Sequence, residues 1–157
     1  MTKIFSKITL KIISWAAVAL WMLLIFRLSS QVADTSNGLS LGVTEQINRI
    51  LANLTQIKVD TLNHIVRKSA HFTAYLILAL LCLNAVRVSG VLGRKRYLTV
   101  IWICILYSIS DEIHQLFVPG RSGSPKDVII DTSGAVVGII ISIILRKLLF
   151  RKGRSYL

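Results

Sequence analysis

Apolar residues in this chain come in blocks about 20 residues long, the length a helix needs to cross a bilayer core of about 30 Å. The blocks lie at 8–28, 71–88, 98–117 and 128–150. A soluble four-helix bundle is the alternative, but each of its helices would need a polar face. Residues 14–26 and 136–145 offer almost none. The pattern predicts an all-α integral membrane protein, one domain over residues 1–157, with four transmembrane helices.

The segment between the first two blocks, residues 29–69, has a different pattern. Residues 34–38 are rich in turn-forming types. After them, apolar residues recur at helical spacing with polar residues on the other faces. This stripe consists of Val43, Ile47, Ile50, Leu51, Leu54 and Ile57. We expect an amphipathic helix lying on the outer membrane surface or capping the bundle, either as a packing lid or in contact with substrate.

Charge is distributed unevenly along the chain, whose net charge is +12. Twelve cations and no acids lie at or before the start of the first block, at or between the facing ends of the second and third, and at or after the end of the fourth. The other segments hold all seven acids and an equal number of cations. This asymmetry predicts cytoplasmic termini and places residues 29–69 and 119–126 outside. It also argues against nucleic acid as the partner, because a nucleic-acid protein clusters its cations on one binding face.

Polar side chains gather at the outer ends of the last three blocks. They are Lys68, His71 and Tyr75 in the second block, Asp111, Glu112 and Gln115 in the third, Arg121 in the turn, and Asp127 and Asp131 in the fourth. Ionisable groups at such depth usually face a protein interior or a wet cavity. Snorkelling cations and a helix-capping Asp127 are the alternative interpretation. We predict that these residues converge in one outward-opening pocket.

Two further features bear on packing. Gly134 and Gly138 form a small-residue stripe that lets a neighbouring helix approach closely, and we expect that neighbour to be the third span. Cys82 and Cys104 fall inside apolar blocks and are expected to be packing residues rather than a disulfide or a metal pair.

These residues resemble a known family. The order Lys68-Ser69-Ala70-His71-Phe72 with Tyr75, then Asp111-Glu112, Gln115, Phe117, Pro119-Gly120-Arg121, Asp127, Gly134 and Gly138, is similar to the VanZ-like membrane proteins. The likeness runs from the first span to Gly138. One departure is Asp131-Thr132, near which the family often has asparagine. The resemblance implies a bacterial cell-envelope protein of the kind associated with low-level teicoplanin resistance, but no settled biochemical activity.

Several functions are compatible with this pocket. A non-catalytic protein would bind a membrane lipid or the headgroup of a lipid-linked cell-wall precursor, with Lys68 and Arg121 on a phosphate. An intramembrane hydrolase or transferase would use Asp111 or Glu112 as general base and His71 as proton carrier, with Asp127 and Asp131 as metal ligands. A proton-coupled transporter or a purely structural polar network are the remaining alternatives. The sequence identifies neither a cofactor nor an oligomeric state.

Overall fold

The computed structural model describes residues 2–51 and 58–152, and within them the protein is entirely helical apart from short connections. The helices are α1 Thr2–Ser29, α2 Ala33–Leu51, α3 Val59–Val88, α4 Gly93–Gln115 and α5 Pro125–Lys152. The all-α prediction is confirmed for this part of the chain. The four predicted spans fall within α1, α3, α4 and α5, although α4 ends two residues before the predicted third span does.

Three of these helices are long and apolar enough to cross a membrane by length and composition, at Ser6–Ser29, Val59–Val88 and Pro125–Leu149. The helix α4 is not among them, because its last two turns carry Asp111, Glu112 and His114. The mean hydropathy of a helix falls when polar residues share it, whichever face they occupy.

The faces of α4 nevertheless differ sharply. Its exposed side is a stripe of large apolar residues at three- and four-residue spacing: Leu98, Trp102, Leu106, Ile109 and Ile113. Its buried side carries Ser108, Asp111, Glu112 and Gln115. This arrangement is the reverse of a water-soluble helix, in which the apolar stripe faces the core. Exposed apolar residues on α1 and α5 extend the same pattern, with Leu20, Leu23, Ile140 and Ile144 all open.

Glycines set the spacing between α3 and α5. A Cβ added at Gly134 would overlap the carbonyl oxygen of Phe72, and one at Gly138 would lie 2.7 Å from that of Leu76. The expectation that this stripe faces another helix is confirmed, but the neighbour is α3, the second span, and not the third. The close approach brings the face of α3 that carries His71 against the first turns of α5.

The segment before the second apolar block is largely helical. Residues 34–38, which the sequence suggested as a turn, belong to α2, and α3 begins twelve residues before the apolar block. The helix α2 packs on α3, and its fully buried Thr44 faces Asn63, with 3.5 Å between the two side-chain oxygens. The predicted amphipathic stripe overlaps α2 only as far as Leu51, and Leu54 and Ile57 lie outside the described residues.

A dry apolar layer fills the middle of the bundle. Leu78, Ala79, Cys82, Val100 and Cys104 have no solvent exposure. Both cysteines are free thiols, so the prediction that they act as packing residues is confirmed. This layer separates the polar outer ends of the helices from their basic ends.

Candidate functional site

The polar residues singled out in the sequence meet at one end of the bundle, where α1 and α4 end and α5 begins. The helix α3 passes this level about three turns after its start, which places His71 and Tyr75 beside the ends of the other helices. Buried acids are the main feature of this cluster: Asp111, Glu112, Asp127 and Asp131 are each less than 9% exposed. We call this set, with Lys68, His71, Gln115 and Arg121, the outer cluster.

Asp111 is held by a serine at the end of α1. The Oγ of Ser29 donates to Oδ2 of Asp111 at 2.7 Å. Gln115 Nε2 donates to the Ser29 hydroxyl at 2.9 Å and to the same carboxylate oxygen at 3.2 Å. All three side chains are buried, so this group fastens the last residue of α1 to the last turns of α4.

Glu112 is fastened instead to the turn between α4 and α5. Its Oε2 accepts a hydrogen bond of 2.7 Å from the backbone N–H of Ser124. The turn approaches so closely that a Cβ on Gly123 would lie 2.5 Å from the Glu112 carbonyl oxygen. Gly120 adopts a φ of +73° in the same turn, which few residues other than glycine tolerate. The glycines therefore bring the turn back over the buried carboxylate.

Asp131 and His71 form the deepest part of the outer cluster. The carboxylate of Asp131 has no solvent exposure, and its Oδ2 accepts a 2.7 Å hydrogen bond from Ser108 Oγ. Its other oxygen, Oδ1, lies 3.4 Å from His71 Nδ1 and has no hydrogen-bond partner among the described residues. One carboxylate oxygen is thus anchored and the other is directed at the imidazole.

Lys68 and Asp127 make an ion pair nearer the mouth. The Lys68 side chain is 30% exposed and that of Asp127 is 11% exposed, so the pair closes one side of the outer cluster. Asp127 lies in the first turn of α5, where the helix dipole also favours its charge. Lys68 therefore engages the carboxylate of Asp127, which lies one helical turn before Asp131 on α5.

A cavity of about 270 Å³ opens beside these residues. Its wall is mostly apolar and comes from α1, α2 and α3, while His71, Tyr75, Arg67 and Arg121 supply polar atoms. The lining residues include Ile25, Leu28, Val43, Val66, Ala70 and Ala74. A cavity with a long apolar wall and convergent polar groups is typical of a site for an amphipathic ligand.

Arg121 lies in the turn, outside the helices, and brings positive charge to this cavity. Burial and the neighbouring charge of Arg67 lower the pKa of its guanidinium, while Asp111, Glu112 and Asp127 act in the opposite direction. An arginine remains protonated under such competing influences. The cavity therefore has a permanent cation at its edge.

One group of side chains has the geometry to hold a metal ion. Ligand atoms of His71, Glu112 and Asp131 all lie within 4.8 Å of one another. The sequence suggested Asp127 with Asp131 as possible ligands. Among the described residues, however, the group that meets this distance does not include Asp127.

Sequence reasoning missed the serines that orient the acids. Ser29, Ser108 and Ser124 each hydrogen-bond a carboxylate of the outer cluster, Ser124 through its backbone. Serine is common in apolar helices and at their ends, so its identity gives a weak signal. Ser108 alone could have been suspected, because it lies one turn before Asp111 and Glu112 on α4.

A comparison with family models gives one match, VanZ/LLP1, over residues 14–146. The chain belongs to the VanZ/LLP1 family. The match includes every residue of the outer cluster, all of Val59–Val88 and most of the other two helices that are apolar enough to cross a membrane, so this is a VanZ-like membrane protein. No curated protein and no solved structure shows significant similarity to the chain.

Proposed function

We propose that this protein lies in a bacterial cell membrane with four spans and binds the anionic headgroup of a lipid or lipid-linked cell-wall precursor in its outer cavity. Both termini would lie in the cytoplasm. Bound to such a precursor, the protein would lower the susceptibility of the cell to teicoplanin and related glycopeptides. The observation that carries this function is the cavity itself, in which an apolar wall ends at Arg67 and Arg121.

Two features of the fold support four spans rather than three. The exposed stripe on α4 is apolar along its whole length, and the acids of the same helix are buried against its neighbours. Such a helix suits a bilayer even though its polar residues lower its mean hydropathy. The connection from α4 to α5 is also short, which favours antiparallel neighbours crossing the same membrane.

The chemistry of the cavity fits a phosphate attached to an apolar chain. A guanidinium binds phosphate with paired hydrogen bonds, and the apolar residues of α1 and α3 can take up the first part of the hydrocarbon. The helix α2 contributes Ser40 and Val43 to the same wall. We therefore place α2 at the outer surface, as an amphipathic helix in contact with the ligand.

Native mass spectrometry tests the ligand class. The detergent-solubilised protein would be titrated with a short-chain polyprenyl diphosphate and with the corresponding uncharged alcohol. We expect the diphosphate to remain bound and the alcohol to dissociate, because the charged contact is the specific one. Arg121→Gln should weaken binding about 10-fold or more, since a buried charged hydrogen bond contributes roughly 1.5–3 kcal/mol.

Lys126→Gln is the matched control for that titration. Lys126 is an exposed cation five residues further along the chain, in the first turn of α5, and it does not line the cavity. Equal weakening by both substitutions would mean that only the general positive charge of this region matters. Equal retention of diphosphate and alcohol would refute recognition of the headgroup.

A cellular assay tests the role in resistance. Glu112→Gln keeps the shape of the side chain and its bond from Ser124, and so it should leave membrane abundance unchanged while teicoplanin susceptibility rises. Unchanged teicoplanin susceptibility in both Glu112→Gln and Asp111→Asn would mean that these acids serve only in helix packing. The comparison requires protein levels measured by immunoblot in the same membranes.

An intramembrane enzyme acting on a lipid-linked substrate is the second candidate. It is favoured by the contact of 3.4 Å between His71 Nδ1 and Asp131 Oδ1, because His71 also lines the cavity. In that case Asp111 or Glu112 would take a proton and His71 would carry it. Release of phosphate or alcohol from the polyprenyl diphosphate by the wild type, and not by His71→Gln, would distinguish catalysis from binding.

A further inference from the structure

We propose that His71, Glu112 and Asp131 form a binding site for one Zn²⁺ ion at the floor of the outer cavity. The three residues come from α3, α4 and α5, so the site would join three helices of the bundle. Zn²⁺ is bound by histidine nitrogen and by carboxylate oxygen in proteins, commonly with three protein ligands and one open position when it is catalytic.

Distances between the side chains fit such an ion. In a tetrahedral site with ligand distances of about 2.0–2.2 Å, neighbouring ligand atoms lie about 3.3–3.6 Å apart. Nδ1 of His71 and Oδ1 of Asp131 are 3.4 Å apart, and one ligand atom from each of His71, Glu112 and Asp131 lies within 4.8 Å of the other two.

The surroundings of the two carboxylates support a ligand role. Ser108 anchors Oδ2 of Asp131, and the Ser124 N–H anchors Oε2 of Glu112. The second oxygen of Asp131 has no hydrogen-bond partner among the described residues, and that of Glu112 accepts only a long hydrogen bond of 3.5 Å from Gln115 Nε2, so an ion could take both. Hydrogen bonds of this kind, which hold metal-binding carboxylates in place, are usual around metal sites.

An unsatisfied atom provides independent support for a ligand. Oδ1 of Asp131 is buried without a hydrogen-bond partner among the described residues, and the whole residue has no solvent exposure. A buried carboxylate oxygen normally has such a partner. Nδ1 of His71 lies 3.4 Å from it, and imidazole is a ligand type that suits Zn²⁺.

The bound ion would face the cavity through His71, which belongs to both sets. An open position there could take a water molecule or a phosphate oxygen of a ligand. The metal site consists of His71, Glu112 and Asp131, whereas recognition of the headgroup rests on Arg67 and Arg121. The two ideas can therefore fail separately.

Metal content provides the direct test. The protein would be purified in detergent with a tag that contains no histidine, dialysed against Zn²⁺, Mn²⁺ or Mg²⁺, desalted, and analysed by mass spectrometry of the metals. We expect about one Zn²⁺ per chain and little retained Mg²⁺, which takes oxygen ligands in octahedral geometry. His71→Gln and Asp131→Asn should each reduce Zn²⁺ at least about 10-fold, because they remove a direct ligand.

Asp127→Asn is the matched control, since it removes a carboxylate one turn away on the same helix that is paired with Lys68. Zn²⁺ retention in this variant, and loss in the other two, supports the site. Equal loss in all three variants would indicate non-specific binding to acids and would overturn it.

A second measurement covers variants that fail to fold. A site in the folded state makes the melting temperature of the wild type rise with Zn²⁺ and fall after chelation. Co²⁺ substituted into the site should show the visible absorption of a four-coordinate ion. If the wild type retains no Zn²⁺ and its melting temperature is unchanged by either treatment, His71 and Asp131 form a simple ion pair and the metal site does not exist.

Discussion

The two ends of this bundle carry charge in opposite ways. At the outer end, four buried acids are each engaged by a serine, a lysine, a histidine or a backbone N–H. At the other end, Arg87, Arg96 and Arg146 line a second cavity of about 210 Å³ together with Asn84 and Ser142. We call this second set the inner cluster, and the lining contains no acid.

The two clusters differ in what stabilises their charges. Buried acids are costly unless their partners are placed around them, and the outer cluster has such partners on three helices and in the turn between α4 and α5. A set of cations without acids is costly in isolation but favourable beside anionic lipid headgroups. The outer cluster is therefore a constructed site, whereas the inner cluster holds the cations that the charge pattern predicts for a cytoplasmic membrane face.

The apolar layer between the clusters adds to this contrast. Leu78, Cys82, Val100 and Cys104 are fully buried there, and polar groups in lipid-embedded bundles normally mark any pathway. The dry layer disfavours the transporter alternative, which needs access from both sides.

The largest expected effect concerns which cluster faces outward. In a background with Cys82 and Cys104 replaced by alanine, we expect a membrane-impermeant maleimide to label Ser122→Cys in intact cells but not Leu92→Cys. Both positions are exposed, in the turns next to the outer and inner clusters respectively. The reverse labelling pattern would mean that the topology is inverted and that the proposed cavity faces the cytoplasm.

The next largest effect is on stability and concerns the close contact between α3 and α5 beside the outer cluster. Gly134→Leu should lower the free energy of unfolding by about 3 kcal/mol or more, because its side chain would overlap the backbone of α3 beside His71. Gly138→Leu should cost less, roughly 1–3 kcal/mol. Thermal unfolding in detergent measures both.

Gly42→Leu on α2 serves as the control for this series. Nothing lies within 4 Å of a Cβ added there, so its effect should be small. Stability equal to wild type in Gly134→Leu would contradict the close approach of α3 and α5.

A matched pair of buried serines compares the clusters directly. Ser108→Ala removes a hydrogen bond of 2.7 Å to the Asp131 carboxylate and should cost roughly 1.5–3 kcal/mol, because the acceptor is charged. Ser14→Ala removes a neutral bond of 3.0 Å from Asn84 near the inner cluster and should cost roughly 0.5–1.5 kcal/mol. Chemical unfolding in mixed micelles measures the loss in free energy of unfolding for each variant. A larger loss for Ser14→Ala than for Ser108→Ala would contradict the stronger hydrogen bonding of the outer cluster.

The smallest effect separates two tryptophans on α1. Trp21 Nε1 donates to the Ala74 carbonyl at 2.9 Å in a half-buried position, and Nε1 of the exposed Trp15 donates to Ser89 Oγ at 3.0 Å. Trp21→Phe should cost about 1 kcal/mol and Trp15→Phe less than about 0.5 kcal/mol. Melting temperatures recorded side by side would detect the difference, and an equal loss would mean that burial does not strengthen these bonds.

Much of the fold could be predicted from the sequence because lipid imposes a simple rule. A helix that crosses a bilayer needs about 20 apolar residues in a row, and such blocks are visible without a structure. The helical class and the family resemblance were therefore predictable. The start of α3 at Val59 was not, because its first turns are polar and carry no bilayer signal.

The outer cluster was predictable in its members and not in its pairings. Ionisable residues such as Asp111 and Asp131 stand out against apolar surroundings, and the order of the helices brings their ends to one level. Which carboxylate meets which partner depends on helix rotation, which no spacing rule fixes. The α5 glycines were expected to face α4, but they pack against the backbone carbonyls of Phe72 and Leu76 on α3 instead.

The sequence by itself determined the helices, their alternation and the set of polar residues, because hydrophobic length and charge are properties of the local chain. Only the tertiary structure decided that Ser29 holds Asp111, that Lys68 takes Asp127, and that His71 faces Asp131. Those choices join residues that are 59 to 82 positions apart in the chain, and they depend on how the helices pack and rotate against one another. Packing of that kind is settled by the close approach of whole surfaces, to which each residue contributes only a part.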